Sequence, residues 1–421
     1  AGEFGSGFAG SVREATGSGR VLESDGKPFH DALVRTATSA EVGEWIARTR
    51  PARAGLTIGE ILHAPGVSAT LDAGGLARHT FMCGQSGSGK TYSLGLLLER
   101  VLAETSLRVV ILDPNSDYVH LGALRPGADP ESAAQYAAAV GDGVAVWTDD
   151  PSAPHPLRLR FVELSRSLQA AVLGLDPIRD RDEYAVLSDL LRAAHAEDRP
   201  LEDARELLTY ETPGARELGL RAQNLGVVDW SVWDPGARSL VAELREPTAR
   251  CTVVDLGSLG TAVEQGLVAA VVLATLWEER LRREPVLVVI DEAHNVCAAQ
   301  PEGALARISS TQAVQIAAEG RKYGLYLLAS TQRPNKVHEN VVSQCDNLLL
   351  MRMNSAADLA DLTRLFSFVP AGLVSGATAF TLGQALAVGK IMPQPAYVQM
   401  GRRLTPEGGG DIPTTWAAPR D

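Results

Sequence analysis

Short runs of apolar residues alternate along much of the chain with longer segments in which apolar positions recur every three or four residues. The short runs predict buried strands, and the longer segments predict helices. The predicted strands are 80–83, 107–112, 251–255, 285–290, 325–329 and 347–351. The predicted core helices are 91–104, 261–283, 305–323 and 355–366. Near-continuous aliphatic strands that alternate with helices are typical of a mostly parallel sheet covered on both faces, so the pattern predicts an α/β fold.

The segment 120–248 differs from the rest, because it is rich in alanine, leucine, arginine and glutamate at helical spacing. It predicts a helical insertion with helices at 130–139, 165–173, 181–195, 201–210 and 215–224. Residues 8–55 contain many glycines, with β-like pieces at 20–22 and 32–34, and predict a small N-terminal β-rich module that is incomplete. The tail 377–400 alternates short apolar pieces with glycine and proline and is expected to add edge strands.

The length of 421 residues allows two or three domains, or one large α/β core with insertions. We predict a division into a cloning linker at 1–7, the N-terminal module at 8–55, the two parts of the core at 56–119 and 249–400, the insertion at 120–248 and a C-terminal arm at 401–421. The first core part contains the most informative motif of the chain.

Composition narrows the class of protein only slightly. The chain is 45% hydrophobic and 21% charged, with a net charge of −12, so it has no global basic field. A local basic ring inside an acidic shell could still hold nucleic acid. Its four cysteines contain no C-x-x-C pair, which is typical of reduced thiols in a cytoplasmic protein. The longest apolar run, 267–277, is too short to span a bilayer, and no signal peptide is visible, so we expect no membrane association.

A complete phosphate-loop motif, G-x-x-x-x-G-K-T, lies between the strand 80–83 and the helix 91–104. Glycines let such a loop turn its N–H groups onto a phosphate at a helix N-terminus. Lys90 is expected to reach the β- and γ-phosphates, and the Thr91 hydroxyl is expected to bind Mg²⁺. The alternative is an accidental turn rich in glycine and serine. The candidate nucleotide-binding residues are Gly84, Gln85, Ser86, Gly87, Ser88, Gly89, Lys90, Thr91 and Tyr92.

Two carboxylates, Asp291 and Glu292, directly follow the aliphatic strand 285–290. Ligands of parallel sheets bind at the carboxyl ends of the strands, so we expect both side chains near the phosphate loop. Asp291 would position Mg²⁺, and Glu292 would act as the general base for the attacking water. The alternative is that they cap the next helix. His294 is interpreted as a helix-start residue rather than a catalyst.

Other polar residues follow or precede the predicted strands. Gln332, after the strand 325–329, could sense the γ-phosphate or form a polar turn. Arg321 could act as an arginine finger on a neighbouring subunit or complement the end of its own helix, and Lys322 and Arg78 are further candidates. Asp113 and Asp117 could brace the site, contact Mg²⁺ through water or form a turn.

Five motifs in this order resemble those of the HerA/FtsK superfamily of hexameric DNA-pumping ATPases, and most closely its HerA branch. They lie at 84–91, 112–118, 290–295, 319–324 and 330–334, and the segment 341–345 also fits. The resemblance covers roughly residues 55 to 400. It implies a RecA-like P-loop NTPase core with a helical insertion and an N-terminal β-barrel, ATP and Mg²⁺ as cofactors, and a hexameric ring of identical subunits.

The resemblance also implies roles for individual residues. Lys90 and Thr91 would bind nucleotide and Mg²⁺, Asp291 and Glu292 would carry out hydrolysis, Gln332 would sense the nucleotide, and Arg321 would act in trans. The chain departs from the family pattern in two places. Its N-terminal region is short for a full barrel, which puts unaided ring assembly in question, and Ser116-Asp117-Tyr118 stands where a Gly-Glu-Tyr element is usual.

Three functions remain open at this point. The first is a ring ATPase that translocates double-stranded DNA together with a nuclease or another effector protein. The second is a nucleotide-gated assembly platform of a bacterial antiphage defence complex. The third is a motor of the conjugation or secretion type, although such motors usually carry or attach to membrane segments.

Overall fold

The computed structural model describes residues 37–49, 54–196, 203–209, 211–234, 236 and 238–409. The predicted linker 1–7, the β-like pieces at 20–22 and 32–34 and the end of the arm from 410 lie outside these residues. The described part of the predicted N-terminal module contains a helix, Ser39–Thr49. Among the described residues, no helix has the length and apolar character that crossing a membrane requires.

Strands and helices alternate through most of the described chain. The strands are β1 (Gly55–Ile61), β2 (Ser68–Asp72), β3 (Thr80–Cys83), β4 (Arg108–Asp113), β5 (Val144–Trp147), β6 (Cys251–Asp255), β7 (Val286–Ile290), β8 (Leu325–Thr331), β9 (Asn347–Met351), β10 (Gln384–Gly389) and β11 (Ala396–Met400). The helices are α1 (Ser39–Thr49), α2 (Lys90–Glu104), α3 (Pro130–Val140), α4 (Arg166–Val172), α5 (Arg181–Ala196), α6 (Pro213–Asn224), α7 (Leu240–Arg245), α8 (Ala262–Glu278), α9 (Gly303–Glu319), α10 (Glu339–Val342), α11 (Ala356–Leu365) and α12 (Ala371–Ser375).

The chain divides into two compact units. Among the described residues, unit 1 takes in those up to Arg108, Arg280–Pro301 and Ser310–Arg403, and unit 2 takes in Val109–Glu279, Glu302–Ser309 and those from Leu404. This division differs from the predicted one, because β4 and β6 belong to the same unit as the insertion helices. The predicted domain boundaries stay a prediction.

Unit 1 contains a mixed sheet with the strand order β2-β1-β11-β10-β9-β3-β8-β7. The four strands from β9 to β7 are parallel to one another, and the remaining pairings are antiparallel. All residues of β3, β7 and β9 are buried. Burial of each aliphatic side chain stabilises the fold by roughly 1.5–3 kcal/mol, which explains why continuous aliphatic runs form the centre of this sheet.

Unit 2 contains three parallel strands in the order β4-β6-β5 together with the helices of the insertion. Helix α8 is buried along most of its length, and the hydroxyl of Thr261 caps it by accepting the N–H of Glu264 at 3.2 Å. Five of the nine strand pairings within the two units are parallel. The predicted α/β class with a mostly parallel sheet is therefore confirmed.

Several predicted elements end earlier or lie elsewhere than expected. The helix predicted at 305–323 tightens after Glu319 into a 3₁₀ turn, Gly320–Tyr323. A Cβ at Gly320 would lie 2.9 Å from the carbonyl oxygen of Leu325, so the chain approaches itself closely there. The helix predicted at 261–283 likewise ends at Glu278, and 201–210 contains a 3₁₀ helix, Ala204–Thr209, instead of an α-helix.

The prediction that the tail adds edge strands was wrong. Strand β10 lies between β9 and β11, and β11 lies between β10 and β1. They are interior because β1 and β2, which come from much earlier in the chain, pair outside them. Strand β5 was not predicted; it is only four residues long and lies inside the predicted helical insertion.

The segment after β11 is anchored to helix α2. The side chains of Arg403 and Glu99 are both fully buried, with 3.6 Å between Arg403 Nε and Glu99 Oε1. A Cβ at position 95 would lie 2.4 Å from the guanidinium carbon of Arg403, so Gly95 lets this side chain pack directly against the helix. The arm predicted from residue 401 thus begins with a side chain packed against the helix that follows the phosphate loop.

Candidate functional site: the phosphate loop and the strand ends of unit 1

The phosphate loop connects the end of β3 to the start of α2, as predicted. Gly87 and Gly89 have φ angles of 72° and 87°, in the left-handed region that favours glycine. Gly84 is required for space, because a Cβ there would lie 2.7 Å from both Ser88 Oγ and Met351 Cβ. The three glycines of the motif therefore each have a structural reason.

Neighbouring segments hold the outer side of this loop. The guanidinium of Arg352 donates to the carbonyl oxygen of Gly87 at 2.9 Å, and the N–H of Gly383 donates to that of Ser88 at 3.1 Å. Both contacts use carbonyl oxygens of the loop and fix it to neighbouring segments of unit 1. The buried Ser88 hydroxyl makes no hydrogen bond to any described residue, which fits a ligand that contains phosphate.

Lys90 lies at the centre of a buried ionic cluster. Its ammonium nitrogen is 2.8 Å from Asp291 Oδ1 and 3.3 Å from Glu292 Oε1. It also donates to Ser330 Oγ at 3.1 Å. The side chain of Lys90 is 7% exposed, so these contacts are largely shielded from water. The structure brings together the residues that the sequence placed in two motifs 201 positions apart.

The charges in this cluster stabilise one another. Burial alone lowers the pKa of Lys90, but the neighbouring carboxylates of Asp291 and Glu292 outweigh it and raise that pKa. Burial alone raises the pKa of Asp291, but the ammonium of Lys90 outweighs it and lowers that pKa. Both groups are therefore charged at neutral pH, as Lys90 must be to bind a phosphate and Asp291 must be to bind a cation.

The predicted general base, Glu292, has an unusual backbone conformation. Its φ angle of 42° lies in the left-handed region, which is uncommon for a residue other than glycine and recurs at functional sites. Its Oε1 accepts a hydrogen bond from the amide of Gln332 at 3.1 Å. The predicted base and the predicted sensor are thus in direct contact.

His294 contacts Glu292, which the sequence interpretation did not include. Its Nδ1 is 3.2 Å from Glu292 Oε2 and 3.0 Å from the hydroxyl oxygen of Thr331. Burial lowers the pKa of His294, Glu292 raises it and Arg333 lowers it, with a net decrease. His294 also lies in a short 3₁₀ helix, Ala293–Asn295, so the interpretation as a helix-start residue holds beside this contact.

Sequence reasoning assigned no role to Ser330 and Thr331, which the structure places in this cluster. Both are fully buried at the carboxyl end of β8, beside β7. A usable signal was present, because polar residues at the end of an aliphatic strand face the same edge as those that end its parallel neighbour.

Tyr92 accepts the N–H of Arg403 at 2.7 Å through its hydroxyl oxygen, so its side chain takes part in anchoring that segment.

The oxygen atoms at this edge fit Mg²⁺. The Asp291 carboxylate and the Thr91 hydroxyl are hard donors, and Mg²⁺ is usually held by one or two carboxylates together with phosphate oxygens and water. Thr91 immediately follows Lys90 in the first turn of α2. These two residues are the ones that would hold the ion, and it would neutralise charge on the phosphates of a bound nucleotide.

The predicted arginines lie at the opposite edge of the same strands. Arg78 precedes β3, and Arg321 lies in the 3₁₀ turn that precedes β8. Both contact the carboxylate of Asp346, the residue that precedes β9. Its Oδ2 lies 2.8 Å from Arg78 Nε and 3.2 Å from Arg321 Nη1. The structure therefore gathers these residues at the amino ends of parallel strands and does not join them to the Lys90 cluster. Lys322 is exposed beside Arg321.

Asp113 and Asp117, in unit 2, form a turn at the end of β4. The carboxylate of Asp113 accepts the N–H groups of Asp117 at 3.0 Å and of Tyr118 at 2.8 Å. The turn-forming alternative is thus observed. Burial, partly offset by these hydrogen bonds, raises the pKa of Asp113 to about 7.

This raised pKa predicts a pH dependence of stability. The folded chain keeps the Asp113 proton up to about pH 7, whereas the unfolded chain releases it near pH 4. Raising the pH across this window therefore favours unfolding, by up to a few kcal/mol. We expect Asp113→Asn to flatten this slope in urea unfolding measured between pH 4.5 and 7.5. The exposed Asp142→Asn serves as control, and equal slopes in all three proteins would contradict the assignment.

Comparison with known proteins gives a consistent result. A family model described as "Helicase HerA, central domain" matches residues 56–217. The chain is 22% identical to the DNA double-strand break repair helicase HerA of Sulfurisphaera tokodaii, over 91% of this chain and 76% of that protein. It is 23% identical to the protein of the same name from Pyrococcus furiosus, over 85% of this chain and 72% of that protein.

Solved structures share its fold. VirB4 of Thermoanaerobacter pseudethanolicus matches with a TM-score of 0.57 at 18% identity, covering 84% of this chain and 97% of that one. The plasmid coupling protein TrwB, in complex with ADP and Mg²⁺, matches with a TM-score of 0.57 at 14% identity, covering 92% and 98%. At this level of identity the likeness concerns the fold, and it confirms the predicted RecA-like P-loop NTPase core.

Proposed function

We propose that this chain, which belongs to the HerA/FtsK superfamily of ATPases and hydrolyses ATP with Mg²⁺, works in a ring of identical subunits that moves double-stranded DNA. One observation carries the proposal. Strand β8 has Gln332 and the Lys90 cluster at its carboxyl end and Arg321 at its amino end.

The residues at the carboxyl end support hydrolysis. When nucleotide binds, the phosphates replace the carboxylates as partners of Lys90, since the ammonium cannot hold both at full strength. Glu292 is then released from its ion pair with Lys90 and can accept a proton from the attacking water. Gln332, already hydrogen-bonded to Glu292, would orient that water, because an amide both donates and accepts. Mg²⁺ held by Thr91 and Asp291 would stabilise charge on the transferred phosphoryl group.

The residues at the amino end support a ring. Strand β8 has seven residues, so its two ends lie about 20 Å apart at a rise of ~3.3 Å per residue. Arg321 is therefore too far from the Lys90 cluster of its own subunit to contact the same phosphate. A head-to-tail interface brings different surfaces of neighbouring subunits together, and it forms a ring when the rotation between subunits closes. In such a ring, the amino edge of one subunit can supply Arg321 to the nucleotide of the next.

Double-stranded DNA is the substrate that the relatives suggest, since the curated proteins are named as DNA double-strand break repair helicases. With a net charge of −12, the chain must bind DNA through local contacts to phosphates. Such contacts show little sequence preference and weaken steeply with salt. A nuclease or another effector protein as partner belongs to the same proposal.

The test measures ATP hydrolysis with and without linear duplex DNA. We expect turnover to rise severalfold with duplexes of unrelated sequence, and this stimulation to disappear as salt is raised. Displacement of a third strand from a triplex then reports movement along the track. Stimulated hydrolysis without displacement would favour the assembly platform. Hydrolysis that is insensitive to DNA, in a protein that forms rings by native mass spectrometry, would contradict the motor.

A further inference from the structure

An apolar side chain beside the phosphate loop is exposed although the turn that carries it is held in place. Leu382 is 67% exposed. The next residue, Gly383, has a φ angle of 74° and donates its N–H to the carbonyl oxygen of Ser88 at 3.1 Å. The N–H of Met400 donates to the carbonyl oxygen of Gly383 at 2.8 Å. The turn thus presents the leucine to solvent from a fixed position.

Leu382 lies over the start of helix α2. Its Cδ1 is 3.3 Å from the position that a Cβ on Gly89 would occupy, and Gly89 directly precedes Lys90. A phosphate bound by the loop lies at this helix N-terminus. The sugar and base of the same nucleotide must leave the loop along its rim, close to Gly89. The sugar or base of a bound nucleotide can therefore cover the exposed side chain of Leu382.

Several polar groups of the turn are already engaged. The side-chain amide of Gln399 donates to the carbonyl oxygens of Leu382 at 3.4 Å and of Gly383 at 3.3 Å. The amide of Gln384 is also used within the turn, since its oxygen accepts the N–H of Thr381 at 2.9 Å. The turn therefore offers a nucleobase an apolar contact, whereas discrimination between bases requires hydrogen bonds to the base edge.

We propose that Leu382 is the platform for the nucleobase of the bound nucleoside triphosphate, and that it holds adenine and guanine with similar strength. The proposal rests on nucleotide binding at the phosphate loop and adds the subsite for the base. In this proposal Leu382 contributes affinity for the nucleobase, and the phosphate loop binds the phosphates. Base and phosphate contacts can therefore be separated with a ligand that has no base.

The experiment measures binding of ATP, GTP and inorganic tripolyphosphate by isothermal titration calorimetry, with Mg²⁺ present. We expect Leu382→Ala to weaken ATP and GTP binding about tenfold each, which is the loss for an apolar side chain that a ligand covers in part. Binding of tripolyphosphate should not change. Leu281→Ala is the matched control, because Leu281 is 72% exposed in the 3₁₀ helix Glu279–Arg282, away from the phosphate loop in sequence.

The possible outcomes are distinct. Unchanged ATP affinity in Leu382→Ala, or an equal loss for tripolyphosphate and ATP, would overturn the platform. So would a wild-type protein that binds tripolyphosphate as tightly as ATP, or one that prefers ATP over GTP by more than about tenfold, since an apolar contact does not give such a preference. A failure of DNA stimulation would leave these binding results standing. A wild type that binds none of the three ligands would overturn the nucleotide site itself.

Discussion

Replacing Glu292 by glutamine should nearly abolish ATP hydrolysis and leave ATP binding intact. Glutamine has the shape of glutamate but cannot accept a proton from water, and a positioned general base contributes roughly 10²–10⁴-fold to a rate. Lys90 keeps Asp291 as a partner at 2.8 Å, so the positive charge at the phosphate loop remains paired in the empty site. The measurement is steady-state phosphate release with calorimetric ATP binding alongside it.

Glutamine is the right replacement because the backbone at Glu292 is left-handed, a conformation that β-branched residues strongly disfavour. Glutamine removes the negative charge and keeps the unbranched Cβ. Glu284→Gln is the matched control, because Glu284 is exposed and lies shortly before β7. We expect this variant to hydrolyse ATP at the wild-type rate. Near-normal turnover by Glu292→Gln would exclude Glu292 as the general base. Loss of both binding and turnover would instead indicate that the carboxylate is needed to hold the site together.

The edge of the sheet that carries the Lys90 cluster was predictable from sequence. Aliphatic runs such as β7 are long enough to identify buried parallel strands, and their carboxyl ends converge. The contact between Lys90 and Asp291 follows from that geometry alone. Glycines at the phosphate loop were equally readable, because left-handed φ angles at Gly87 and Gly89 exclude most other residues.

The pairing order of the outer strands was not predictable in the same way. Strand β11 pairs with β1 although more than three hundred residues separate them, and nothing local to either strand specifies that partner. The preference of a residue for a strand depends on its neighbours across the sheet, which a single sequence does not show. Strand β5 was missed because a run of four residues inside a helical region resembles a helix turn as well as a strand.

Contacts made by single side chains were the hardest to foresee. The position of His294 beside Glu292 depends on the short 3₁₀ turn after β7, and that of Leu382 depends on a turn fixed by distant hydrogen bonds. Arg78 and Arg321 share the carboxylate of Asp346 because β3 and β9 start at the same level and the turn before β8 lies beside them. These features arise from tertiary register, which motif spacing alone does not encode.

Removing the guanidinium of Arg321 should lower ATP hydrolysis by roughly 10³–10⁵-fold, the range for an arginine finger supplied by a neighbour. Arg321→Lys should recover little, because lysine lacks the planar fork that contacts two phosphate oxygens at once. Lys322→Ala is the control, since Lys322 is exposed at the adjacent position and would retain activity if Arg321 is the finger. Nucleotide binding by an isolated subunit should not change.

A mixing experiment separates action in trans from action in cis. Arg321→Ala has an intact Lys90 cluster, and Glu292→Gln has an intact Arg321, so an interface between the two variants can form one complete site. If the variants assemble at random in equal amounts, about a quarter of the head-to-tail interfaces combine the two intact halves. The mixture should then hydrolyse ATP at up to about a quarter of the wild-type rate per site, whereas each variant alone is nearly inactive. An inactive mixture, in rings shown by native mass spectrometry to contain both variants, would mean that Arg321 does not complete the neighbour's site.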